Sequence, residues 1–448
     1  MALRLASLAL IFFFTSLTAA AAAQTSSSEI EGEYEIKFDF RKNFALDNRN
    51  RDDLFRFDQE LQLRWLYRYD DWLSVLLEGQ FVGEHQLYTG GGPRRSEFDP
   101  ERGETWVRFD KLFGRDLSFT IGRQSFEEPR RWWWDEELDA VSVRYRPEPW
   151  ILELGVAREL FQESLRDNSV DPEQSRVVRV LARANWAYFK NHALDLFLLH
   201  ENDRSATPAR GATVKEDRED PSDGRLWWTG LRASGTHPAR YGNVSYWLDL
   251  AGVVGREKLL EFDELAGSRL RVASRSSHRV RGWAIDLGGR WESQFPAEPV
   301  FILAYARGSG DKRRDAGADR SFRQTGLQAD DEEFRTYGEI LRPELSNLRI
   351  PTFAVQFPIL WRSHVEFAYR NFRQVRAAPF LRGEARIEAE PNGISRNIGQ
   401  EWMLYSIIRQ WKNIEIELVG AAFRAGRAYG PLSGKMAYSL FTQVTFEF

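Results

Sequence analysis

From Phe55 to Tyr69 the chain alternates with a period of two. Phe55, Phe57, Gln59, Leu61, Leu63, Trp65, Tyr67 and Tyr69 fall on one side, and Arg56, Asp58, Glu60, Gln62, Arg64, Leu66 and Arg68 on the other. Successive side chains of a strand point to opposite faces, so this stretch reads as a strand with one apolar and one charged face. A 3.6-residue period would scatter its arginines around a cylinder. The same alternation sets Tyr34, Ile36, Phe38 and Phe40 against Glu33, Glu35, Lys37 and Asp39, and Val365, Phe367 and Tyr369 against His364, Glu366 and Arg370. Two architectures cover so many apolar faces. In a soluble sandwich they meet in a core; in a membrane barrel they meet lipid.

The spacing of the strands favours the barrel. About eighteen candidate strands follow one another, and an even number closes a sheet without leaving an edge. Their connections alternate between short turns (70–71, 112–115, 147–149, 190–191, 295–299, 411–413) and long polar segments (85–103, 159–175, 202–224, 256–278, 308–348, 374–396). Short turns on one rim and long loops on the other describe an outer-membrane protein. The last strand alternates from Tyr438 and ends on Phe448, as barrel assembly signals do. Residues 1–23, with Arg4 ahead of an apolar run and an alanine-rich end, predict a secretory signal, leaving 24–448 as the barrel. The expectation is an all-β fold: a transmembrane antiparallel up-and-down β-barrel of the Gram-negative outer membrane.

Composition fits that expectation. Sixteen Trp, 14 Tyr and 31 Phe exceed what a soluble core of mean hydropathy −0.50 would hold, but aromatic girdles at both membrane interfaces use them. Trp65, Tyr67 and Tyr69 are girdle candidates. Of 62 basic residues only nine are lysine, and the arginines share the inward face with acids, as Arg56 and Arg64 do with Asp58 and Glu60. Most read as paired charges in a polar lumen. The chain has no cysteine, and its six histidines have no metal-ligand spacing. No nucleophile elbow is present. No enzyme activity, cofactor or metal is expected, and nothing points to nucleic acid.

The stretch from Gly122 to Val141, GRQSFEEPRRWWWDEELDAV, places three tryptophans among charges. Trp132, Trp133 and Trp134 lie in a long loop, and two readings stand side by side. In one they join the girdle and clasp the loop over the rim; in the other they form a platform for a sugar ring, with Arg130 and Arg131 beside it.

That stretch, with AIDLGGRW, AYARGSG, FRQTGLQAD, YGEILRPELSNL, NIGQEW and RAGRAYGP in order to Pro431, resembles the alginate export family of outer-membrane porins. The resemblance implies an eighteen-stranded barrel that passively exports an anionic polyuronate through an arginine-rich constriction. It also implies residues. Lys37 and Arg64 resemble basic pore residues, Glu104 an acid beside them, and Arg335 falls near another family arginine. With Arg56, Arg123 and Glu417 these form the expected pore lining. Gly103, Ser125, Glu417 and Val419 stand where family arginines are expected, and residues 411–413 are short where the family has a pore-plugging periplasmic loop. The implied partners are an anionic polysaccharide, outer-membrane lipids and lipopolysaccharide, the outer-membrane assembly machinery and periplasmic polysaccharide-synthesis proteins. A general anion or oligosaccharide porin, and a surface receptor or adhesin barrel, remain the alternatives.

Overall fold

The computed structural model describes residues 26–47, 53–90, 94–167, 169–205, 208–215, 222–265, 269–312, 318–328, 336–383 and 385–448. The expected signal, residues 1–23, lies outside them. Among the described residues the wall has eighteen strands: β1 (Ser26–Lys42), β2 (Leu54–Tyr69), β3 (Leu73–Thr89), β4 (Ser96–Phe109), β5 (Leu117–Glu127) and β6 (Asp135–Tyr145). They continue as β7 (Trp150–Ala157), β8 (Val177–Phe189), β9 (His192–Asp203), β10 (Ser222–Ala239), β11 (Gly242–Leu265) and β12 (Arg269–Ser293). The last are β13 (Val300–Gly308), β14 (Leu348–Leu360), β15 (Ser363–Gln374), β16 (Asn397–Trp411), β17 (Ile414–Ala425) and β18 (Met436–Glu447). Two short pieces, Thr213–Lys215 and Ala318–Asp319, pair with β12 from the loops.

Each wall strand pairs antiparallel with its predecessor, and β1 pairs with β18, so the fold is a closed antiparallel barrel of eighteen strands. The closing seam ends on Phe448. Its N–H and C=O both bond Gly32 at 2.9 Å, and its ring occupies the space a Cβ on Gly32 would need. A bare backbone at position 32 is what lets the terminal ring lie down there.

The apolar face of each strand points outward. Near the short turns it carries a row of rings, including Trp65 on Tyr67 (6.0 Å), Trp72 on Phe109 (6.3 Å) and Trp150 on Trp186 (5.3 Å). Rings with an apolar body and a polar edge suit a membrane interface.

Two of the expected long loops are instead strand. Most of 85–103 belongs to β3 and β4, and 256–265 and 269–278 lie within β11 and β12, which pair as far as Leu265 and Arg269. Above the lipid both faces of a ribbon can be polar, as in the Arg271–Asp263 pair, so hydropathy reads as loop what backbone hydrogen bonding keeps as sheet.

One pairing is short. β4 and β5 meet only between Thr105–Phe109 and Phe119–Arg123. Beyond that, the β7–β8 loop lies along β4: Ser164 bridges Glu101, Arg102 N–H donates to Glu163 O, and Leu165 N–H to Pro100 O. The loop completes the wall where β5 has left it.

Candidate permeation path and its loop plug

The inward faces of β1–β4 carry charges in pairs. Lys37 Nζ lies 2.8 Å from Glu35 and 3.2 Å from Glu60; Arg56 bonds Asp58 at 2.7 Å; Arg64 bonds Glu78 at 2.7 Å and approaches Glu104 to 3.8 Å. Glu104 also accepts Ser125 N–H. Glu417 on β17 stands opposite Gln443, which stands opposite Lys37, itself opposite Asp58. Thus Lys37, Arg56, Arg64, Glu104 and Glu417 share one sector of the lumen wall. Carboxylates outnumber cations there, so the sector is a ladder of structural pairs.

Arg123 is elsewhere. Gln124, beside it, faces inward and donates to Ala140 O, with its amide oxygen on Ser142. Arg123 has the parity of the exposed Ile121 and is held by Glu137 (3.1 Å), Glu159 (3.4 Å) and Glu163. This corrects its expected place in the pore: it pins the β7–β8 loop to the outer side of the wall. Arg335 lies outside the described residues.

The tryptophan stretch leaves the wall altogether. Between β5 and β6 the chain turns inward, and Glu128 meets Arg232 on β10, with Nη2 of Arg232 at 3.0 Å. Four inter-strand steps of ~4.8 Å each separate β6 from β10 around the circumference, so the loop cuts across the lumen. Arg232 also donates to Asp249 at 2.7 Å. Arg130 reaches Asp249 on β11 and Asp286 on β12 (3.1 Å), its guanidinium 4.7 Å from the Trp247 ring. Trp133 stacks on Phe197 at 4.8 Å and occupies the space above Gly230, where a Cβ would collide with its ring. Trp132 stacks on Phe322 of the β13–β14 loop at 6.2 Å.

Its indole N–H donates to Tyr337 OH, which donates to Asp286 at 2.6 Å. Burial and the Asp286 carboxylate push the Tyr337 phenol well above its usual value, so it stays a donor. Burial alone would raise the Glu128 carboxyl. The Arg232 guanidinium and the N–H groups of Arg130 and Trp133 more than offset it, holding the group below the usual carboxylate range.

Trp132, Trp133 and Trp134 are 2%, 1% and 4% exposed, which corrects the sugar-platform reading: their faces are covered by protein. The rings supply the apolar core of an infolded loop, and the neighbouring charges bind it to the far wall. Burying ~200 Å² of indole at ~25 cal/mol/Å² stabilises by about 5 kcal/mol before entropy is counted. Arg130 is part of that binding, whereas Arg131 stays at the surface with Glu127 and Asp135.

Two further loops fill the same half of the lumen. Glu401 on β16 accepts the N–H groups of Glu339, Ile340 and Leu341, and Arg386 of the β15–β16 loop reaches both Glu339 and Asp39 on β1.

Below the plug the wall of β4–β8 stays open, in a cleft of about 1050 Å³. Arg108, with its guanidinium 5.0 Å from the Trp106 ring, Arg144 and Arg183 face it, as do the hydroxyls of Ser118, Thr120 and Ser142. Their partners are Asp110, Glu153 and Asp195. Arg144 remains 48% exposed at the side chain, so its fork is open to a solute. The sequence reading missed these residues, and Arg232, Asp249 and Asp286. A signal for the acids was present: each is a lone carboxylate in an apolar run, YWLDLAGVV and AIDLGG.

The alginate export family model matches residues 27–443. An alginate production protein AlgE from Pseudomonas syringae pv. tomato is 21% identical over 280 residues, 61% of this chain and 55% of that protein; the chain thus spans about half the length of this relative. Among solved structures, OccAB2 of Acinetobacter baumannii superposes with a TM-score of 0.56 at 11% identity, covering 94% of this chain and 98% of that one. The outer membrane protein opdK of Pseudomonas aeruginosa gives 0.55 at 11%, with the same coverage. Those two likenesses speak for the fold alone. With its matched span of 27–443, this outer-membrane β-barrel belongs to the alginate export family.

Proposed function

We propose that the protein is a porin of the Gram-negative outer membrane for passive export of an anionic, alginate-like polysaccharide, without enzymatic activity and without a cofactor. One observation carries the reading beyond family membership: the cleft of β4–β8 sets arginine forks, hydroxyls and the Trp106 ring toward one solvated space. A guanidinium meets a carboxylate through two parallel bonds, and an aromatic face takes the apolar side of a sugar ring. A polyuronate offers a carboxylate and a ring face in each residue. Passage requires the three-loop plug to move, since its contacts cross the lumen. Periplasmic polysaccharide-synthesis proteins would deliver the chain to the short-turn rim. A porin for small anions is the second reading, favoured by the exposed Arg144 guanidinium of the cleft, which needs only a single carboxylate or phosphate to engage it. Planar-bilayer recording separates them. Oligouronates added on the short-turn side should block current in discrete events, and neutral oligosaccharides of equal length should not. Equal blocking by both would remove the polyuronate reading.

A further inference from the structure

The outer face carries a charge arrangement that transport of a solute does not use. On β10, β11 and β12, Arg225 stands directly opposite Arg256, and Arg256 directly opposite Arg279. On β13, β14 and β15 the pattern repeats, with Arg307 opposite Arg349 and Arg349 opposite Arg373. Like charges directly opposite one another destabilise a sheet, yet six neighbouring strands each supply one. All six have outward parity. Two residues further into the wall on each strand stand Trp227, Val254, Arg281, Tyr305, Pro351 and Asn371, and the Arg307 guanidinium lies 5.4 Å from the Trp283 ring. Among the described residues none of the six has a carboxylate partner; Arg225 has only the amide oxygen of Asn202 at 3.3 Å.

The height of the β10–β12 triple is fixed by β11. Tyr246, near the short-turn rim, and Arg256 are ten residues apart on the same face. At ~3.3 Å per residue and a tilt of ~40° they are about 25 Å apart along the membrane normal, the height of an apolar band. Arg225 and Arg279, in direct register with Arg256, therefore lie with it where headgroups of the outer leaflet begin; Arg307 faces Ile285, six residues deeper than Arg279 on β12, so the second triple starts lower on the wall. At the corresponding ends of β1 and β2 the outward positions are Phe38, Phe40, Phe55 and Phe57. The cationic belt occupies one flank.

We infer that the outward arginines of β10–β12, Arg225, Arg256 and Arg279, form a binding site for the phosphate groups of lipid A in the outer leaflet, fixing lipopolysaccharide to this flank of the barrel. Guanidinium forks take phosphate in pairs, and a bridging anion removes the repulsion between facing arginines. The inference rests on the outer-membrane barrel and not on which solute crosses it.

The test measures binding of bisphosphorylated lipid A to the folded full-length barrel in a neutral detergent. R225E/R256E/R279E should weaken it at least tenfold, and R240E, at the short-turn rim, should not. Dephosphorylated lipid A should bind the native barrel as weakly as lipid A binds the triple variant, and millimolar inorganic phosphate should fail to displace lipid A. Should the reversed charges prevent folding, R225Q/R256Q/R279Q gives the same comparison, and R225K/R256K/R279K should restore most of the affinity. Undiminished binding by the glutamate or glutamine variant, or equal binding of the dephosphorylated lipid, overturns the site; displacement by phosphate alone shows an anion site that is not a lipid site and overturns it too.

Discussion

Glu128 of the infolded β5–β6 loop and Arg232 of β10 form an ion pair across the lumen in which neither side chain is more than 3% exposed. The pair has no water to fall back on, and Asp249 completes the satisfaction of Arg232. Arg232→Ala leaves a buried carboxylate uncompensated, a change that costs about 3–5 kcal/mol. The loop should then detach, raising single-channel conductance and exposing the Arg130–Arg131 bonds to trypsin, while the barrel stays heat-modifiable on gels. Unchanged conductance and protection would mean that the tryptophan packing alone holds the loop.

The same pair sets a pH dependence. Docked, Glu128 is held below the usual carboxylate range; undocked, it titrates near ~4.3. A depressed acid contributes stability that is complete above its undocked value and lost as pH falls through its docked one. Recordings should therefore show a constant closed fraction from pH 7 to 5 and more frequent large openings below about pH 4. Glu128→Gln should abolish that step; its persistence in the variant would assign it to another group.

Gly230 determines where Trp133 can lie, since a Cβ there would stand 2.0 Å from the ring and 2.6 Å from Leu250 O. Gly230→Val should expel the indole, losing stabilisation on the order of 3–5 kcal/mol, comparable to an aromatic truncation. Tryptophan fluorescence should shift to the red; an unshifted spectrum would place the main packing energy elsewhere.

Arg64 neutralises Glu78 and approaches Glu104. With Arg64→Gln, two lumen carboxylates lose their counter-charge, and in a confined path such charge is screened less than at a surface. Reversal potentials in a salt gradient should move toward cations by several millivolts, and Glu417→Arg should move them the other way. An Arg64→Gln pore with native selectivity would place the selecting charge in the β4–β8 cleft instead.

At the seam, Gly32→Val removes the bed on which the Phe448 ring rests, and Phe448→Ala removes the ring. Both should lower the fraction of heat-modifiable, membrane-inserted protein while synthesis continues. Normal insertion of Gly32→Val would separate the terminal signal from ring packing.

The barrel was legible in the chain because strand alternation is local: each residue of 55–69 meets lipid or lumen by parity alone, and eighteen such segments with alternating connection lengths leave few folds open. Parity equally placed Lys37, Arg56 and Arg64 on the inward face, and the family resemblance put Glu104 beside them. It could not place Arg123, because above the membrane both faces of a strand can be polar and the covering β7–β8 loop is 36 residues away at Glu159. Nor could it say whether Trp132 to Trp134 lie on the rim or within the lumen. That was decided by Gly230, Arg232, Asp249 and Asp286, more than 95 residues further along the chain, which receive the rings and charges of the loop. Period-two patterning specifies the face on which a side chain stands. Only closure of the sheet into a barrel brings the β5–β6 loop within reach of β10 and determines which side chains meet across the interior.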